Sequence, residues 1–138
     1  MSNSVYGVKS KLIFEFLLFT SFFIAVLSNK FVPGINSSGM PGLVVWSIVL
    51  IGFSIYNKKF NDIIDESSKT ILSKVNSIGI KFVLYSFGLV GVCFATPFTQ
   101  HIDISNLDVG IVIITILLLL AILRLILFIY FDRKGIYE

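Results

Sequence analysis

Two charged side chains stand inside long apolar runs, and they are the residues with the clearest chemical purpose. Glu15 follows Lys11 by four residues within the first run, and Arg124 lies seven residues before Phe131 in the last. A charge at membrane depth usually faces the interior of a helix bundle, a wet cavity or a partner of opposite sign. At ~1.5 Å of rise per residue both side chains start at similar depths from the same face, so Glu15 and Arg124 are expected to pair across the first and last helices. The competing arrangement keeps Glu15 on Lys11 at i, i+4 and lets Arg124 snorkel toward Asp132 and the lipid phosphates.

Other reactive residues form no machinery. The single histidine, His101, shares a turn-rich stretch with Asp103 and Asp108. Three such groups so close together, with no second histidine, lack the spacing of a zinc site and read as a surface loop that caps a helix. Cys93 is the only cysteine, so it cannot form an intrachain disulfide and is read as a soft apolar packing residue. No serine or cysteine has a base beside it, no glycine-rich phosphate loop occurs, and no two carboxylates face each other. The expectation is a protein that is not an enzyme, with no catalytic residue, no metal and no cofactor.

The elements that must position Glu15 and Arg124 follow from composition. Of 138 residues 56% are hydrophobic and 14% aromatic, too apolar for a soluble domain without large exposed patches. Four apolar runs emerge, about 12–28, 41–57, 81–98 and 108–131. Lipid offers no partner for backbone amides and strands this few cannot close a barrel, so each run must be helical. The second is the weakest, since it crosses the ~30 Å hydrocarbon core only if Pro41 and Gly42 are counted in. Before the fourth, Ser105 with Asp108 three residues on forms a helix-capping pattern. The fold class expected is all-α: a single four-transmembrane-helix domain over 1–138.

Charge gives the orientation. Lys9, Lys11, Lys58, Lys59, Lys69, Lys74, Lys81, Arg133 and Lys134 fall on one side of the runs, against Lys30 on the other. By the positive-inside rule both termini and the middle loop are cytoplasmic, in the cell inner membrane. The net charge of +3 therefore points to anionic headgroups, and no nucleic acid is expected.

Between the second and third runs, at about 58–78, Phe60, Ile63, Ile64, Ile71, Val75 and Ile78 recur near a helical period, with charges largely elsewhere. This predicts a cytoplasmic amphipathic helix, lying at the headgroup interface or docking a partner through Phe60, Ile64 and Ile71. On the third run Gly88, Gly91 and Ala95 form a small-residue stripe suited to close helix packing against another span, most simply of the same chain and otherwise of a neighbouring protein.

Two stretches carry a resemblance. Asp65-Glu66-Ser67-Ser68-Lys69-Thr70-Ile71 is similar to the Asp-Glu-Arg-x-x-x-Ile lead-in of a group of small four-span prokaryotic membrane proteins, with Ser67 in place of the arginine. Phe128-Ile129-Tyr130-Phe131-Asp132-Arg133-Lys134-Gly135 resembles the aromatic, Arg-Lys-Gly ending of the same group. Members are often encoded beside helix-turn-helix regulators or in defence loci, so the resemblance implies a regulatory or protective role. Together these readings lead to a membrane sensor, immunity or phage-defence subunit that binds a protein partner through its amphipathic helix, Arg133 and Lys134. A homo-oligomeric channel or transporter, with Arg124 lining an anion path, is the alternative.

Overall fold

The computed structural model describes residues 2–31, 40–61, 66–96 and 103–135, with side chains described over 7–28, 30–31, 46–58, 66–96 and 103–135. Four helices follow one another: α1 (Ser2–Phe31), α2 (Met40–Asn61), α3 (Glu66–Ala95) and α4 (Asn106–Lys134). Among the described residues three segments, Gly7–Ser28 in α1 and the whole of α3 and α4, are long and apolar enough to cross a membrane.

Helix α4 shows why lipid decides the local structure. Its sequence is rich in isoleucine and other strand-forming residues, yet it is helical for 29 residues, because only a helix satisfies its backbone within one segment. Ser105 caps it, accepting from the Asp108 amide at 3.2 Å, while Asp108 Oδ2 accepts from the Ser105 amide at 3.2 Å and from its hydroxyl at 2.8 Å. Gly135, at φ 64° and ψ 27°, ends it in the left-handed region after Arg133 and Lys134, which suit the negative end of the helix dipole.

Helices α1 and α4 run antiparallel and pack along most of their length, α3 lies antiparallel on α4, and α1 meets α3 at one end. That basal end holds the starts of α1 and α3 and the end of α4. The distal end holds Phe31, Ala95 and Asn106. Helix α2 runs alongside α1 in the opposite direction through aromatic rings: Phe22 meets Trp46 edge-on at 4.2 Å, and Phe14 lies 6.1 Å from Phe53 and 6.4 Å from Tyr56. Its backbone approaches no other helix closely among the described residues.

The packed core is basal: Val8 and Leu12 of α1, Ile71, Leu72 and Val75 of α3, and Phe128 of α4. The amphipathic segment expected over 58–78, running into the third span, divides between the end of α2 at Asn61 and the start of α3 at Glu66. From Glu66 onward that segment is the first half of one 30-residue helix that continues through the third apolar run. No proline interrupts it, and its apolar stripe finds α1 and α4 instead of headgroups. Helices α1, α2 and α4 also extend beyond their apolar runs at both ends, and α3 at its start, because hydropathy marks what tolerates lipid and not where backbone hydrogen bonding stops.

Candidate functional site

Arg124 is carried on α4 at the level where Gly79 of α3 lets the two helices approach; a Cβ at Gly79 would lie 3.0 Å from Leu120 Cδ1 and 3.8 Å from Arg124 Cγ. The guanidinium crosses to α1, where Nη1 donates to Glu15 Oε1. Only 17% of the Arg124 side chain and 7% of the Glu15 side chain are exposed. Lys11, one turn before Glu15, is buried as well and interacts electrostatically with both. Among the described residues the cluster holds two cations and one anion. Arg124 Nε has no hydrogen-bond acceptor, and in the first turn of α3 the fully buried Ser68 hydroxyl has no partner either.

Two further ion pairs join the same helices near their ends. Lys9 Nζ lies 2.7 Å from Asp132 Oδ2 at the basal end, and Lys30 Nζ lies 2.6 Å from Asp108 Oδ1 at the distal end. The 21 residues from Lys9 to Lys30 span about 32 Å and the 24 from Asp108 to Asp132 about 36 Å, close to the ~30 Å hydrocarbon core. The outer pairs thus sit where a bilayer would end, and Glu15 with Arg124 lies within it. Described serine and threonine hydroxyls in the apolar runs, such as Thr20, Ser28, Ser54 and Thr115, donate to carbonyls of their own helix at 2.7–2.9 Å. The ion pairs are therefore the polar links between helices that the structure describes. Breaking the buried Glu15–Arg124 pair by removing one partner is destabilising by about 3–5 kcal/mol, although an apolar replacement of both is often neutral, whereas the solvent-exposed Lys30–Asp108 pair adds little stability.

The other expected site residues are dispersed. Ile71 is only 2% exposed, in the basal core against Val8, Leu12 and Phe128, so it is corrected from a partner contact to a packing residue. The Phe60 side chain and Ile64, like Ile63 and His101, lie outside the described residues. Arg133 and Lys134 are exposed at the basal end, with Lys134 Nζ 3.4 Å from Tyr130 Oη. Gly88, Gly91 and Ala95 share an exposed stretch of α3, and a Cβ on either glycine would meet nothing within 4 Å. Packing of this stripe against another span of the same chain is thereby corrected: α4 covers a different face of α3.

Sequence reasoning did not reach Lys9–Asp132 or Lys30–Asp108. Their signal was present as complementary charges at matching depths of the first and last runs. No family model, no curated protein and no solved structure matches the chain.

Proposed function

We propose that this is a four-span protein of the cell inner membrane, with both termini cytoplasmic, that works by binding another membrane protein and performs no chemistry. Its role would be that of a sensor or of an immunity or defence subunit, in keeping with the resemblance noted above. Four crossings are supported by direction: α1 and α3 begin at the same end, so α2, antiparallel to α1, has to return the chain between them. The basic residues gathered at that end support a cytoplasmic placement.

The observation that carries the binding role is the open distal half of α3. Gly88 and Gly91 have free space where a Cβ would stand, with Leu84, Tyr85, Leu89 and Val92 exposed beside them. In lipid, helices adhere through close backbone approach, and a bare small-residue stripe on an outermost helix is suited to a helix of another protein. Arg133 and Lys134 extend the contact surface at the cytoplasmic end.

Native mass spectrometry of the gently extracted, tagged protein tests this. A stoichiometric second protein is expected, and it should be lost in Gly88→Leu/Gly91→Leu while the protein itself stays folded. A homo-oligomer with nothing attached would overturn the reading in favour of the channel alternative. One observation favours that alternative: a groove from the polar flank of α3 leads to Arg124.

A further inference from the structure

The basal half of α3 is polar on a flank that should be greasy. Lys69, Ser73, Asn76, Ser77 and Lys81 lie on one exposed side of the helix and line a groove of about 620 Å³. Gly79 abuts Leu120 and Arg124, so Asn76 to Lys81 stands level with the buried Glu15–Arg124 pair. Along α4 that level is eight residues, about 12 Å, inward from Asp132. At comparable depth the outward side chains of α1 and α4 are apolar, among them Ile13, Leu17 and Ile126. Exposed amides, hydroxyls and an ammonium at this depth need a polar partner.

The groove also changes character along its length. Past Asn76 and Ile80 it continues into a second groove of about 420 Å³, lined by Val83, Leu84 and Leu120 beside Arg124. A polar, cationic opening that runs into an aliphatic slot fits an amphiphile with an anionic head. Charge complementarity agrees: the described lining of the groove carries Lys69 and Lys81 and no acid, and Asp132 across the basal end is paired with Lys9.

We propose that this flank of α3 is a specific site for one anionic phospholipid of the cytoplasmic leaflet, its anionic head extended along the row of about 18 Å from Lys69 through Ser73 and Ser77 to Lys81, with both ammonium groups reaching toward the phosphate, and one acyl chain lying in the slot beside Arg124. The lipid completes the bundle on the side where α3 has no helix neighbour. The inference rests on the bilayer placement and is independent of the distal protein contact.

The test is native mass spectrometry of the full chain in detergent, titrated with phosphatidylglycerol, with phosphatidylcholine of the same chains, and with inorganic phosphate. One phosphatidylglycerol is expected to bind at least about tenfold more tightly than phosphatidylcholine, and Lys69→Gln/Lys81→Gln should weaken it by about fivefold per lysine, with Lys58→Gln as an unaffected control. Equal retention of both lipids, equal loss in Lys58→Gln, displacement by inorganic phosphate at matched concentration, or a second copy of the chain covering the flank would each overturn the proposal. A chain that stays monodisperse in detergent-free buffer would instead overturn the bilayer placement itself.

Discussion

Replacing Glu15 with methionine should harm this protein more than replacing Arg124, although the two side chains make the same ion pair. Without Glu15, Arg124 and Lys11 remain as two neighbouring cations in a site where little side-chain surface reaches solvent. Removing one partner of a buried pair costs about 3–5 kcal/mol, or two to four powers of ten in the folded ratio. Without Arg124, Glu15 still has Lys11 one helical turn away, so the penalty for a buried unsatisfied group is largely avoided and the cost should be smaller by about 1–3 kcal/mol. The double replacement Glu15→Met/Arg124→Met removes both charges and should return to within about 1 kcal/mol of the native protein. The assay is SDS titration in mixed micelles, followed by energy transfer between labels at the distal ends of α1 and α4 in a Cys93→Ser background. Equal costs for the two single variants, or a double variant no better than Glu15→Met, would refute the assignment of Lys11 to this cluster.

Other expectations follow from the packing. Gly79→Leu should destabilise the bundle by about 1–3 kcal/mol through overpacking against Leu120 and Arg124, whereas Gly88→Leu, facing open space, should leave thermal unfolding of the isolated chain unchanged. Ser105→Ala should cost about 1 kcal/mol at the start of α4, seen as faster hydrogen exchange confined to its first turn. Phe128→Ala, emptying the fully buried centre of the basal core, should cost about 3–5 kcal/mol in the SDS assay. In whole cells and a Cys93→Ser background, a cysteine at Ser105 should react with a membrane-impermeant maleimide and one at Gly135 should not; the reverse pattern would invert the proposed orientation.

Glu15 and Arg124 were legible in the sequence because charge inside an apolar run is rare and their depths could be counted along two helices of known rise. The cap at Ser105 was legible for a similarly local reason. The fate of Ile71 was not. Its helical period with Val75 announces an apolar face, but period alone does not distinguish burial against α1 and α4 from burial in headgroups or against a partner. Gly88 and Gly91 pose the converse problem: small residues permit close approach, and only the positions of the other helices reveal that none approaches. The end pairs Lys9–Asp132 and Lys30–Asp108 needed a relation between two distant segments, and single-segment reading weighs Lys30 only as an orientation signal.

The ladder between α1 and α4 also bears on how the protein is made. Glu15 and Arg124 are 109 residues apart in the chain, and Lys30 and Asp108 are 78 apart. At about 5–20 residues per second, α1 waits on the order of ten seconds before its partner has been synthesised. During that interval its carboxylate has Lys11 as its nearby cation among the described residues. A ribosome that stalls after Ala95 leaves a membrane-inserted intermediate bearing Lys9, Glu15 and Lys30 without their α4 counterparts. Such a product carries its own mark of incompleteness, a polar stripe on α1 that quality-control proteases of the membrane can distinguish from the finished protein. Pulse-chase of a chain stopped after Ala95 should therefore show faster turnover than the same chain carrying Lys9→Leu, Glu15→Leu and Lys30→Leu.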